Sequence, residues 1–229
     1  MNILAIDTSG VTAGVALLQD RNLLAEVFLN VGRNHSEVLL PSMDQLLTAA
    51  GLKLVDVDAF ACTVGPGSFT GIRIGVSTVK GLALAFGRPV VALSALEVLA
   101  SAAVGVQRMI CPMIDAKKEQ VYAASYTHMD GESLTRIIPE QLVKADDFLN
   151  MITGEAVFIG TGALKYGDAV RRRLGDRGCF AAHHLHQVRA AAVGALAVRK
   201  AAAGELTDAV KLVPLYLRRS EAEERDRRG

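Results

Sequence analysis

Three short apolar runs open the chain, at residues 3–7, 14–18 and 23–28, and the polar turns Ser9-Gly10-Val11-Thr12 and Gln19-Asp20-Arg21-Asn22 separate them. Connections this short predict an antiparallel meander of three strands. The apolar period then lengthens. Leu39, Met43, Leu46, Leu47 and Ala50 trace one helical face that Gly51 ends, Asn34 with Glu37 has capping-box spacing, and Pro41 is expected to kink the helix or restart it. A β-compatible run at 59–64 leads into Gly65-Pro66-Gly67-Ser68, after which Ile72, Val76, Val79, Ala83 and Phe86 recur at i, i+4, i+7, i+11 and i+14. That is strand, glycine turn, long helix. A strand at 89–93 and a helix from Ser94, with Glu97 completing a second capping box, bring the order to βββαβαβα.

The second half starts in the same way. A strand at 110–115 ends on Asp115 as the first ends on Asp7, and a polar turn leads to residues 121–126, an echo placed where an internal duplication would put it. A strand near 135–138, a helix at 145–152, a strand at 156–159, a helix opened by Gly160-Thr161-Gly162 and an alanine-rich helix at about 188–203 follow. The pattern predicts two lobes, residues 1–105 and a smaller 106–229, each a mixed β-sheet flanked by helices. This is the α/β architecture of actin, sugar kinases and Hsp70-like ATPases, in which strand-end aspartates and glycine turns face a cleft.

Two readings of the glycine turn stand side by side. Gly65 and Gly67 can take positive φ, and Ser68 or Thr70 can cap a helix whose free N–H groups and dipole attract anions. Equally, the glycines can serve tight packing, since the Lys-Ser/Thr ending of a P-loop is missing. On the helix that follows, Gly71, Gly75, Thr78, Leu82 and Ala85 form a small-residue sector about 100° from the large apolar one. The large sector suits the chain's own sheet, and the small one suits close approach of another helix, from this chain or another. Arg73 and Lys80 interrupt the helix well short of the ~18 unbroken apolar residues of a membrane span.

The 229 residues carry 25 basic and 24 acidic side chains, a net charge of +1, which gives no global attraction to nucleic acid or anionic membrane. Direct, independent RNA binding is therefore disfavoured. The N-terminus lacks a basic region and its apolar run is cut by Asp7, so it reads as a strand and not a signal peptide. Cys62, Cys111 and Cys179, odd in number and set among apolar residues, read as reduced thiols in a cytoplasm.

The segments Ile3-Leu4-Ala5-Ile6-Asp7-Thr8-Ser9, His35-Ser36-Glu37, Gly65 through Gly75, Ile114-Asp115-Ala116 and Pro214-Leu215-Tyr216-Leu217-Arg218 together resemble the TsaB family, also called YeaZ, in order and over nearly the whole chain. The resemblance implies a bacterial cytoplasmic protein needed to make threonylcarbamoyladenosine beside the anticodon of tRNAs reading codons that begin with A. It implies a non-catalytic partner of the paralogous transferase TsaD, working with the ATPase TsaE and with an enzyme that makes threonylcarbamoyl-AMP. It also implies that the two helices of the first lobe form the pairing surface, here Leu39, Met43, Leu46 and Leu47 with Gly71, Gly75, Thr78, Leu82 and Ala85. The cleft residues Asp7, Thr8, Ser9, Gly65, Pro66, Gly67, Ser68 and Asp115 are then remnants of a nucleotide site. TsaD-like proteins carry a metal-binding His-x-x-x-His after the strand that follows the glycine-led helix. Matching Glu97 to the glutamate inside it puts Ala95 and Leu99 at the histidine positions, and neither ligates a metal.

The remaining polar clusters favour ordinary roles. His183, His184 and His186 have no nearby Cys, Asp or Glu to complete a metal shell and read as surface histidines. Asp7 and Asp115 suit either a Mg-water-phosphate network or local turn caps. His35-Ser36-Glu37 reads as helix capping, Arg171-Arg172-Arg173 as a cationic helix end, and Arg218 onward as a solvated mixed-charge tail. Three functions compete: an activating partner subunit without cofactor or metal, homodimeric when alone; an autonomous sugar-kinase-like nucleotide enzyme; and a glycoprotease-type hydrolase. Absence of histidine at Ala95 and Leu99 favours the first.

Overall fold

The computed structural model of the protein describes residues 1–30, 32, 34–103, 105–128 and 133–218. Strands β1 (Asn2–Asp7), β2 (Ala13–Gln19) and β3 (Asn22–Leu29) form the expected antiparallel meander. Helix α1 (His35–Ala49) follows, then β4 (Ala59–Gly65), α2 (Phe69–Phe86), β5 (Val90–Ser94) and α3 (Ala95–Ser101). The first sheet has the order β3-β2-β1-β4-β5, with β4 parallel to β1 and β5 parallel to β4.

The second lobe repeats this plan with β6 (Met109–Asp115), β7 (Gln120–His128), β8 (Leu134–Lys144), α4 (Ala145–Asn150), β9 (Ala156–Ile159), α5 (Thr161–Lys165), α6 (Gly167–Leu174) and β10 (Gly178–Phe180). Its order, β10-β9-β6-β7-β8, matches the first sheet strand for strand, with β6 in the place of β1. The duplication read from two strand-end aspartates is thus a duplication of topology. Strand β10, only three residues long and led by glycine, left no periodic trace in the sequence.

Helix α7 (Ala190–Ala202) closes the described fold by returning to the first lobe, where it packs on β1 and β2. Close approach depends on two glycines: a Cβ at Gly194 would collide with the Leu18 side chain, and one at Gly14 would press on Ala190. Glu26 on β3 fixes the entry to α7, accepting from the Arg189 guanidinium and from the Ala191 N–H at 3.0 Å. The result is five layers. Helices α1 and α2 cover the outer face of the first sheet, α3 and α7 lie between the sheets, and α4 to α6 cover the outer face of the second. Lys200 of α7 joins Glu97 of α3 at 3.0 Å within the central layer.

Two local expectations differ. Asn34 precedes α1 but its side chain caps no backbone N–H; its amide donates to the Glu37 carboxylate at 2.7 Å, so the capping box closes side chain to side chain. Glu97, expected to reach back to the Ser94 backbone, is held by Lys200, while Ser94 does accept from the Leu96 N–H. Helix α1 runs through Pro41 without a break, and Gly51 ends it with φ +68°.

Candidate functional site

The glycine turn between β4 and α2 meets the β1–β2 turn from the same lobe. Ser68 caps α2 by accepting from the Gly71 N–H, and the Ser68 N–H donates to the Ser9 carbonyl at 2.7 Å. Cβ atoms on Gly67 and Gly71 would collide with the carbonyl oxygens of Ser9 and Thr8, and one on Gly75 with the Thr8 hydroxyl. Thr8 Oγ1 in turn donates to the Gly71 carbonyl at 2.7 Å. The glycines therefore let one backbone turn rest directly on another. The tight-packing reading accounts for Gly65 and Gly67, and the Ser68 N–H already has an acceptor. At Gly65, with φ +133°, the occupant is the carbonyl of Leu215.

Beneath the turn, Asp7 is 1% exposed. One carboxylate oxygen accepts from the Ser9 N–H at 3.2 Å, the Ser9 hydroxyl at 2.7 Å and the Thr63 hydroxyl, while the other has no partner among the described residues. Burial pushes the carboxyl above its ordinary 3.8; the Thr63 and Ser9 hydrogen bonds pull the other way and are outweighed. Asp115, at the equivalent position of the second lobe, accepts from the Lys117 N–H at 3.0 Å and pairs with Lys165 at 2.9 Å. Asp7 and Asp115 thus hold separate local networks, and the turn-capping reading describes both. The second glycine turn is likewise internal. Thr161 Oγ1 accepts from the Asp115 N–H, and a Cβ on Gly160 would collide with the Met113 carbonyl.

The residues expected at a partner surface divide. Leu39, Met43, Leu46 and Leu47 are buried against the first sheet together with Ile72, Val76, Val79 and Ala83, so their assignment to an exposed surface is corrected. The apolar stripe of α1 is its core face. Gly71 and Gly75 are buried against Thr8, so they too leave the surface. Thr78 and Leu82 are half-exposed and Ala85 is exposed, beside half-buried Ile74 and exposed Gly81 and Leu84. Across from them α1 exposes Leu40, Asp44 and Thr48. Phe86, expected against the sheet, is exposed.

Ala95 and Leu99 both lie in the buried core of the central layer. His183 and His184 are exposed, but His186 is buried: Nε2 donates to the Ala181 carbonyl at 3.1 Å and Nδ1 accepts from the Gly160 N–H at 3.1 Å. The expectation of a surface histidine fails there because the ring satisfies two backbone groups that would otherwise be buried unpaired. His35 Nε2 donates to the Gly10 carbonyl at 3.0 Å and so ties α1 to the β1–β2 turn. Arg171, Arg172 and Arg173 occupy the last turn of α6 as read, with Arg171 on Asp168 and over the Phe180 ring. The thiols of Cys62, Cys111 and Cys179 are free, and burial pushes Cys62 up to about 12.

The family profile described as TsaD, tRNA N6-adenosine threonylcarbamoyltransferase, matches residues 23–225. A Bacillus subtilis (strain 168) protein named tRNA threonylcarbamoyladenosine biosynthesis protein TsaB is 35% identical over 226 residues, 97% of this chain and 96% of that one. The chain belongs to the TsaB family. The Escherichia coli (strain K12) protein of the same name is 36% identical over 170 residues, 71% of this chain and 72% of its own length. The solved structure of YeaZ from Pseudomonas aeruginosa has a TM-score of 0.81 at 32% identity, covering 94% of this chain and 99% of that one. Component A of the (R)-2-hydroxyglutaryl-CoA dehydratase of Acidaminococcus fermentans, at 15% identity and a TM-score of 0.51 over 88% of this chain and 99% of that one, shares the fold alone.

Sequence reasoning missed a group of side chains near the glycine turn. Phe69 and Tyr216 stack with centroids 4.1 Å apart and planes 2° from parallel, Arg73 Nε donates to the Tyr216 hydroxyl at 2.8 Å, and the Leu215 N–H donates to the Val64 carbonyl at 2.7 Å. Arg218, read as the start of a solvated tail, donates to the Ala116 carbonyl and to Gln120. Contacts spanning almost 150 residues leave no local period; residues 219–229 lie outside the described residues.

Proposed function

We propose that this chain acts in bacterial tRNA threonylcarbamoyladenosine synthesis as a partner subunit that binds and activates a TsaD-type transferase and carries no active site of its own. The observation that supports this reading is the burial of Ala95 and Leu99. The positions that the resemblance equates with metal-binding histidines are aliphatic and packed inside the central layer, where no ligand reaches. The glycine turns agree with it, since Gly65, Gly67 and Gly160 each lie directly against a backbone carbonyl of the chain itself.

Pairing uses the outer faces of α1 and α2 in this proposal, with Thr78, Leu82 and Ala85 retained from the sequence reading and Ile74, Gly81, Leu84 and Leu40 added. The core-facing residues of α1 and the Gly71-Gly75 stripe contribute by shaping the helices and make no contact. In isolation the same surface pairs two copies of this chain, so homodimer and heterodimer compete. A TsaE-type ATPase joins the larger complex, tRNA is contacted mainly through the transferase, and the complex works in the cytoplasm. The test is reconstituted modification of tRNA by the transferase with and without this chain.

A further inference from the structure

After α7 the chain travels back along the first lobe as an ordered segment. Thr207 forms an antiparallel bridge with Val90, its N–H donating at 2.7 Å and its carbonyl accepting at 3.0 Å. Lys80 on α2 donates to the carbonyls of Val210 and Leu212 at 2.8 and 3.2 Å, and Ala209 and Leu212 are buried in the outer core of the first lobe. Leu215 then covers the glycine turn, Tyr216 stacks on Phe69 of α2, and Arg218 reaches the β6–β7 turn of the other lobe.

That turn is the second observation. Lys117, Lys118 and Glu119 have φ of +60°, +50° and +60°, three consecutive non-glycine residues in the left-handed region. Such a run persists only where its surroundings over-determine it. Arg218 grips its two ends, the Ala116 carbonyl at 2.8 Å on one side and the Gln120 side chain on the other. The rigid guanidinium fork suits two acceptors set apart in this way, and a lysine ammonium does not.

We propose that residues 207–218 form a latch that runs from the first lobe to the β6–β7 turn of the second, fixes the separation of the two lobes and holds that turn in its strained form. The anchored end is the Thr207 bridge with Leu212; the releasable end is the Tyr216 stack with the Arg218 grip. Because Phe69 and Arg73 belong to the first turns of α2, the latch joins that helix directly to the second lobe. The latch involves no pairing partner.

Hydrogen exchange on the full chain tests it, read as peptides covering 115–120, 212–218 and the cores of β1 and β4. Tyr216→Ala and Arg218→Ala each change a side chain outside the core, so the β1 and β4 peptides keep wild-type protection and report that the fold is intact. Both variants accelerate exchange at 115–120 by about tenfold or more, in the range that separates local opening from global unfolding. Arg218→Lys falls between wild type and Arg218→Ala. Unchanged exchange at 115–120 in either alanine variant overturns the latch: with Arg218→Ala the grip would be incidental, and with Tyr216→Ala the segment would not act as one unit.

Discussion

Three glycines on one helix have different fates, and the difference is a matter of what a single Cβ would touch. At Gly71 and Gly75 it would collide with Thr8, whereas at Gly81 nothing lies within 4 Å. Gly75→Leu therefore lowers stability by about 3 kcal/mol or more through overpacking. Gly81→Ala raises it by up to ~1 kcal/mol through helix propensity. Thermal melts of the two variants check the contrast, and a stable Gly75→Leu protein would contradict the packing of Thr8 on α2. Asp7 gives a second prediction. The folded carboxyl holds its proton more tightly than the unfolded one at 3.8, so the folded chain binds more protons from there up to the raised folded value, and stability falls as pH rises through that window. Asp7→Asn removes the titration while the three donors on one oxygen can remain. Urea midpoints of the variant relative to wild type should climb with pH above 3.8; a relative decline would mean that the buried carboxylate is stabilised in its charged form.

For single elements, the sequence located α2 and ranked its faces by residue size, but not by what covers them. Periodicity says which side chains share a side; it is silent on whether the cover comes from the same chain. The small sector around Gly71 and Gly75 is taken by the β1–β2 turn, a loop whose position depends on folding of the meander, and only the later part, from Thr78 to Ala85, stays open. On α1 the legible apolar stripe was simply the core face, and its outward residues Leu40, Asp44 and Thr48 carry no pattern of their own. The faces of α2 give opposed expectations. Val76→Asp buries an unpaired charge against the sheet and should cost more than about 3 kcal/mol, seen as a lowered Tm. Ala85→Glu, on the exposed side, should leave Tm nearly unchanged and weaken association with the transferase by about tenfold or more, measured by titration calorimetry. Equal affinity would move the interface off this part of α2.

Across the whole molecule, the duplicated topology was readable because Asp7 and Asp115 each end a strand that is followed by a short turn and a second strand. The return of α7 to the first sheet and the path of residues 207–218 were not readable, since both depend on contacts between distant segments: Arg189 with Glu26, Tyr216 with Phe69, Arg218 with Gln120. The same limit applied to the cleft, where the sequence supplied glycines but not the backbone that fills them. The glycine turns rest on the chain's own backbone, and the outer faces of α1 and α2 expose Leu40, Leu84 and Ala85. The partner role is decided by threonylcarbamoyl transfer to tRNA with a purified TsaD-type enzyme and TsaE-type ATPase, supplied with threonylcarbamoyl-AMP, in the presence and absence of this chain. Transfer is expected only when the chain is present together with the TsaD-type enzyme, and none by the chain alone; transfer by the chain without that enzyme, or full transfer in the chain's absence, would rule out the partner role.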